Sequence, residues 1–131
     1  MSIETIHPRF SEANVAGHIG FTVLPAWFEK AAEKVYKIFM PELKPDESVP
    51  VIVKFEMECL KEINHIQDVI IETGVQQIGD SSFSIIQHLK QNRTISAIAK
   101  TTFVYFDYKH KKTLLISDEL RAALEKHIKA Q

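Results

Sequence analysis

A change in hydrophobic period near residue 50 constrains the fold of this chain more than any other feature of its sequence. Across residues 25–40, apolar side chains recur at spacings of three and four, which predicts one amphipathic helix with a wide apolar face. Across residues 51–59, apolar and charged side chains alternate, which is the period of a strand covered on one face. Pro25 suits the first helical turn, and Pro41 ends the helix. The chain therefore combines a long helix with a sheet.

Three further extended segments follow the first alternating strand. Residues 67–79, 81–91 and 94–108 are rich in isoleucine, valine, phenylalanine and threonine and are separated by short polar turns. Such short connections predict antiparallel neighbours. A short strand is expected near residues 4–10, and Ser117, followed by two acidic residues, predicts the N-cap of a last helix that extends to residue 129.

The order strand, helix, four strands, helix predicts an α+β domain. An antiparallel sheet of about five strands needs cover for its apolar face, and the helix over residues 25–40 is long and apolar enough to provide it. The sheet is therefore expected to wrap around this central helix. Residues 1–131 contain no internal repeat or linker, so a single domain is expected. Sheet edges favour self-association into a homodimer, and further pairing into a homotetramer stays open.

Charge and cysteine content argue against several classes of function. The formal net charge of -1 and the pI of about 6.6 provide no field that would gather nucleic acid or an anionic membrane. Cys59 is the single cysteine, which excludes an intrachain disulfide. The amino terminus lacks a secretory pattern, and no apolar run approaches the roughly 20 residues that span a bilayer. We therefore expect a cytoplasmic protein without nucleic-acid or membrane partners.

Polar residues crowd into the segment 9–21, directly before the long helix. Backbone N–H groups at the helix start, near Phe21 and Thr22, would carry the partial positive charge of a helix terminus and could donate to a developing oxyanion. Asn14 is close enough in sequence to face the same spot. This segment is therefore the first candidate for a reactive site.

The same segment resembles the first loop of the hotdog-fold acyl-CoA thioesterases of the 4-hydroxybenzoyl-CoA thioesterase-like group. In that family the loop has an aromatic residue, two alternating aspartates, a glycine and a late asparagine or histidine, and the following helix contains Phe-Glu-x-Ala. Residues 10–21 and Phe28-Glu29-Lys30-Ala31 fall into this frame without a gap, with Glu12 and Asn14 at the aspartate positions. The resemblance covers most of the chain. It implies a hotdog fold, an antiparallel sheet wrapped around a central helix, and a fatty-acyl or aroyl thioester of coenzyme A as substrate.

The resemblance also implies roles for individual residues. Family members use the second aspartate as base or nucleophile, and a backbone N–H at the start of the central helix, here that of Phe21, polarises the thioester carbonyl. The aspartate position is Asn14 in this chain. A neutral amide is no base near pH 7 and forms no acyl anhydride, but Asn14 could orient water or donate to the carbonyl oxygen. Proton removal would then fall to His18, Glu12 or Glu29.

Cationic residues at strand ends are candidates for contact with the phosphates of coenzyme A. Lys109 lies in the basic turn 109–112, and Lys90 and Arg93 lie at another strand end. No separate cofactor is expected, because coenzyme A is part of the substrate. No metal is expected either, because four histidines lack the spacing of metal ligands. They are His65, His88, His110 and His127.

Three functions stay open at this point. Hydrolysis of an acyl-CoA thioester is the leading prediction. The second is a catalytically impaired hotdog protein that binds acyl-CoA or serves as an assembly subunit. It is favoured by Asn14, which stands where the family has an aspartate, and by Phe21, which stands where the family has an asparagine or histidine. A dehydratase, which also occurs on this fold, would need a carboxylate on the central helix, and Glu29 or Glu33 could supply it.

Overall fold

The computed structural model describes residues 1–128, and its regular elements follow the predicted order. The strands are β1 (Ser2–Ile6), β2 (Ser48–Cys59), β3 (Val69–Ile78), β4 (Ser82–Gln91), β5 (Thr94–Asp107) and β6 (Lys112–Thr113). The helices are α1 (Leu24–Ala31), α2 (Glu33–Phe39) and α3 (Asp118–Glu125). Two 3₁₀ turns, Phe10–Glu12 and Phe21–Val23, lie between β1 and α1.

One antiparallel sheet contains all six strands. Its order is β1-β3-β4-β5-β2, and the short β6 pairs with the end of β5. The hairpins β3–β4 and β4–β5 join sequence neighbours, as the short turns predict. β1 and β2 are the edge strands of this order, and β2 pairs with β5 along nearly its whole length. The predicted α+β arrangement is confirmed.

The helices cover the apolar face of the curled sheet. α1 buries Leu24, Trp27, Phe28 and Ala31 against alternate residues of the sheet strands. Each fully buried large apolar side chain contributes roughly 1.5–3 kcal/mol relative to exposure, so this face holds the helix to the sheet. A second apolar cluster lies around α2 and α3.

The predicted long helix is interrupted at Ala32, so the expectation of one continuous helix is wrong at this position. Ala32 has φ −87° and ψ 0°, which ends the regular helical hydrogen-bond pattern. Side chains of the sheet hold helix carbonyls at this point: Gln87 Nε2 donates to Phe28 O at 2.7 Å. Thr73 Oγ1 donates to Ala31 O at 3.3 Å. These hydrogen bonds depend on how the sheet packs against the helix. The spacing of apolar residues along the helix does not predict them.

The first strand also ends earlier than predicted. β1 stops at Ile6 instead of near residue 10, because Pro8 has no N–H to give to the neighbouring strand. The following residues, Phe10–Glu12, form a 3₁₀ turn. The loop that carries the candidate site therefore begins soon after the sheet edge.

The last helix begins where the sequence predicts and ends sooner. Ser117 Oγ caps α3 by accepting a hydrogen bond from a first-turn amide at 3.2 Å. The helix ends at Glu125, and the predicted last residue, Lys129, lies outside the described residues. The carbonyl of His127 accepts a hydrogen bond from Val75 N at 2.7 Å, so the chain joins β3 after the helix.

Candidate active site

Asn14 closes the loop that precedes α1. Its side-chain Oδ1 accepts hydrogen bonds from the backbone N–H of Ala16 at 3.0 Å and from that of His18 at 3.2 Å. Its own N–H donates to His18 O at 2.8 Å, and its carbonyl accepts from Gly17 N at 2.9 Å. Gly17 has φ 79°, a left-handed conformation that glycine adopts without steric cost. The Asn14 side chain thus shapes a tight turn.

The connection between β2 and β3 packs against this turn. Ile19 N donates to Ile63 O at 2.7 Å, and His18 pairs with Asn64 in an isolated antiparallel bridge. These backbone contacts place the Glu62 carboxylate beside the His18 ring, with Nε2 and Oε2 3.1 Å apart. The side chains are 37% and 75% exposed, so their attraction adds little to stability. Its consequence is geometric, because a carboxylate that accepts one ring N–H fixes the tautomer and leaves the other nitrogen as an acceptor.

Two backbone amides at the entry to α1 are free to donate. Among residues 1–128, the N–H groups of Phe21 and Thr22 donate no hydrogen bond. The turn that carries them is fixed by a hydrogen bond from Val23 N to Gly20 O at 3.0 Å. Amides at a helix start carry partial positive charge and can stabilise a developing oxyanion.

A cavity of about 360 Å³ brings three of the residues predicted from the sequence together. Asn14, His18 and Phe21 line one side of it, and the end of β2 with the following connection lines the other side. Lys61 and Glu62 are on that second side and were missed by the sequence analysis. No motif marks them, and their position beside His18 follows from the pairing of two segments that are far apart in the sequence.

Glu12 has a structural place outside this cavity. Its Oε2 accepts a hydrogen bond from Trp27 Nε1 at 3.0 Å, and its Oε1 accepts one from Arg9 N at 2.8 Å. Both carboxylate oxygens are therefore engaged in tying the loop to α1. Among the three candidate bases from the sequence, His18, Glu12 and Glu29, only Glu12 has both of its carboxylate oxygens engaged in hydrogen bonds within residues 1–128.

Glu29 lies in a second cavity of about 130 Å³ between α1, α2 and the sheet. It is separated from Phe21 by about 12 Å, the length of eight residues at a helical rise of roughly 1.5 Å each. Tyr36 Oη donates to Glu29 Oε1 at 3.5 Å. Burial, together with the nearby Glu29 carboxylate, raises the pKa of Tyr36 to about 12. Glu33, the other carboxylate considered on the helix, pairs with Lys30 at 3.3 Å.

The predicted phosphate-binding cations lie at two ends of the sheet. Arg93 is in the β4–β5 turn, close in sequence to Ser96, which lines the first cavity. Lys90, near the end of β4, pairs with Glu72 at 2.5 Å. Lys109 follows the far end of β5, about 43 Å away along the strand at roughly 3.3 Å per residue. Within a single chain, Lys109 therefore lies apart from Lys90 and Arg93.

The histidines outside the cavity have separate surroundings. His65 Nδ1 lies 3.4 Å from Gly17 O, and its ring contacts that of Phe10 with centroids 5.3 Å apart. The His110 ring holds the pKa of Asp107 below its ordinary value through a 2.7 Å hydrogen bond.

Within residues 1–128, no three histidine, cysteine, aspartate or glutamate side chains are grouped as a metal site requires. In the same part of the chain no helix has the length and apolar character to cross a membrane.

The fold and the loop define a thioesterase-type protein, and comparison with known proteins agrees. The chain belongs to the thioesterase-like superfamily, which matches residues 8–124. The predicted hotdog fold and the resemblance to hotdog thioesterases are thereby confirmed. No curated protein matches the chain.

Solved structures of similar proteins extend this result. A protein described as a predicted thioesterase from Bacillus stearothermophilus has a TM-score of 0.92 and 30% identity, over 98% of this chain and 97% of that one. A thioesterase superfamily protein from Jannaschia sp. CCS1 has a TM-score of 0.87 and 18% identity, over 98% and 94% of the two chains. A gentisyl-coenzyme A thioesterase has a TM-score of 0.81 and 17% identity, over 94% and 99%. The last two similarities establish the fold.

Proposed function

We propose that this protein hydrolyses the thioester bond of a fatty-acyl or aroyl coenzyme A. One observation carries the proposal: the free N–H of Phe21 and the paired side chains of His18 and Glu62 line the same cavity. An oxyanion donor and a general base are the two groups that thioester hydrolysis by water requires. Membership of the thioesterase-like superfamily supports the same reaction.

In the proposed mechanism, the thioester carbonyl oxygen accepts a hydrogen bond from Phe21 N–H. His18 takes a proton from water through the ring nitrogen that Glu62 leaves free, and the hydroxide adds to the carbonyl carbon. The tetrahedral intermediate then breaks its carbon–sulfur bond, and His18 returns the proton to the sulfur of coenzyme A. The products are a carboxylic acid and the free thiol. Asn14 acts by holding the turn that positions His18.

Coenzyme A itself would lie at the open side of the first cavity. Lys61 lines this cavity, and Arg93 lies at the same end of the sheet. Their positive charges suit the phosphates of the nucleotide end. Lys90 is close by but already faces Glu72. The acyl group would enter the groove between α1 and β2.

The protein is proposed to work as a homodimer. β2 is a 12-residue edge strand with apolar side chains exposed on it, including Val53 and Phe55. A long, apolar edge favours pairing with a second strand, and a two-fold dimer would join two copies of β2. Pairing of dimers into a homotetramer is a further possibility of the same kind, without a specific contact that favours it.

Turnover assays test the proposed activity. Steady-state hydrolysis would be measured with acetyl-, butyryl-, hexanoyl-, decanoyl-, palmitoyl- and benzoyl-CoA, by trapping the free thiol of coenzyme A. The expected result is turnover of at least one of these thioesters well above the rate in buffer. Absence of turnover with all of them, in a sample that is folded and dimeric, contradicts the proposal.

A second candidate function is binding of acyl-CoA without cleavage. It is favoured by Asn14, whose neutral amide has no proton affinity for base catalysis and whose Oδ1 is engaged in the turn. Asn14→Asp separates the two functions, because aspartate keeps the acceptor oxygen and adds a carboxylate. If the native protein binds thioesters without turnover and Asn14→Asp hydrolyses them, the binding function is correct.

A further inference from the structure

The two cavities both lie between α1 and β2 and share no lining residue. On β2, the side chains that face the helices are Cys59, Met57, Phe55 and Ile52, because a register shift after Ile52 restores the alternation. Cys59 lines the first cavity, and Phe55 and Ile52 line the second. Met57 lies between them and packs against the core. An acyl group that starts at Phe21 N–H would therefore reach the second cavity by passing Met57, an unbranched side chain that adapts its conformation readily.

The floor of this groove changes from small to large side chains. Ala97 and Ala99 of β5 pair with Cys59 and Met57 and are themselves fully buried. Further along β5, Phe103 pairs with Ile52 and fills the floor. The sheet beneath β2 therefore has small side chains near the proposed reaction centre and a phenyl ring at the far end.

Tyr36 closes that far end. Its ring meets the ring of Phe103 edge-on, with centroids 5.6 Å apart and planes at 88°. Phe103 is backed by Phe83, which stacks on it at 4.9 Å, and Phe39 stacks on Phe83 at 5.3 Å. These four aromatic rings form one contiguous group at the end of the cavity. Because closely packed rings cannot shift easily, the cavity does not lengthen readily for a longer ligand. The hydrogen bond to Glu29 gives the Tyr36 ring a second point of attachment.

We propose that Tyr36 is the specificity-determining residue of this site and restricts the substrate to short or single-ring acyl groups. This inference rests on the proposed function. The second cavity measures about 130 Å³. An enclosed apolar cavity of roughly 150 Å³ holds one benzene molecule, so the acyl tail that fits has about six carbons beyond the carbonyl. Longer chains would have to displace the Tyr36 ring or leave their ends in water.

The chain-length profile of hydrolysis tests this proposal. For the native protein, kcat/KM should rise up to an acyl tail of about six carbons and fall beyond it. Tyr36→Ala should move the optimum to longer chains, with each further buried methylene gaining about fourfold. Tyr36→Phe keeps the ring and should keep the native optimum. Tyr108→Ala, which removes a 47% exposed tyrosine in the turn after β5, is the matched control and should also keep it.

Binding measurements keep the test independent of turnover. Alkyl-CoA thioethers of increasing length, which cannot be hydrolysed, would be titrated calorimetrically into the same four proteins. A native affinity that stops improving near six carbons, and continues to improve in Tyr36→Ala, supports the acyl limit even if the proposed hydrolysis fails. An unchanged length dependence in Tyr36→Ala overturns it. If Tyr36→Ala does not fold, Tyr36→Leu is used instead. It should raise the longest acyl chain that still gains affinity by a smaller amount.

Discussion

Asn14 illustrates how one side chain can preserve a loop while changing the chemistry that the loop supports. Its Oδ1 accepts two backbone hydrogen bonds, as a carboxylate oxygen in the same place could. What asparagine lacks is the proton affinity of a carboxylate. The loop shape can therefore match that of thioesterases with an aspartate here, while a base has to come from another residue. The pairing of His18 with Glu62 favours His18 for that proposed role.

Truncation of Asn14 should weaken the loop. Asn14→Ala removes the acceptor for the N–H groups of Ala16 and His18, which is expected to cost about 1 kcal/mol of unfolding free energy. Urea denaturation monitored by circular dichroism measures this cost. Asn14→Asp retains the acceptor oxygen and should stay near the native stability. Equal stability of the alanine variant and the native protein would show that these two hydrogen bonds are not needed.

At the scale of elements, the sequence predicts what depends on local patterns. Hydrophobic period locates the long helical region and four of the strands, and Ser117 locates the start of α3. The break at Ala32 was not predictable in this way, because it coincides with contacts from Gln87 and Thr73 on other strands. The same reason applies to the site. Asn14, His18 and Phe21 lie in one motif, whereas Glu62 reaches them by tertiary pairing.

The contact between Gln87 and the helix should contribute measurably to stability. Gln87→Leu removes one of two donors to the Phe28 carbonyl and leaves Ala32 N, at 3.1 Å, as the other, so the expected cost is about 1 kcal/mol. Gln77→Leu replaces an exposed glutamine on the neighbouring strand and should change stability by less than about 0.5 kcal/mol. Urea midpoints compare the two variants. Similar midpoints would refute the importance of the helix contact.

The docking of α3 on β3 should weaken in acid. Burial first, then the positive charges of the chain amino terminus, Lys34 and Lys126, lower the pKa of His127 below its ordinary value. Below that ordinary value the unfolded chain binds more protons than the folded one, so unfolding free energy falls as the pH drops. Its Nδ1 is buried and has no partner among residues 1–128, which adds to the cost of charging the ring.

Unfolding free energies at about pH 7 and about pH 5 measure this dependence. His127→Gln should reduce the loss of stability between the two conditions. His7→Gln is the control, since His7 is an exposed histidine paired with Asp68. If both variants lose as much stability as the native protein, the contribution of His127 is excluded.

At the scale of the whole molecule, the two sheet edges differ in length. β1 has 5 residues and β2 has 12, so β2 offers the longer unpaired edge. Val53→Lys places a charge on β2 and should convert the proposed dimer to a monomer. Ile3→Lys, at a residue of β1 that is 57% exposed where Val53 is 59% exposed, should leave the dimer intact. Light scattering after size-exclusion chromatography distinguishes these outcomes. A monomeric native protein, or a dimer unaffected by Val53→Lys, contradicts pairing through β2.

In the proposed mechanism, His18, held by Glu62, supplies the base that Asn14 cannot provide. The most direct test is kcat for the best thioester in the native protein, in His18→Gln and in Glu62→Gln. His18→Gln should lower kcat by about 100-fold or more, and Glu62→Gln should lower it less. Asp68→Asn breaks a similar exposed pair with His7, 2.6 Å apart, and should leave kcat unchanged. A His18→Gln protein with native kcat would contradict the role of His18 as the base.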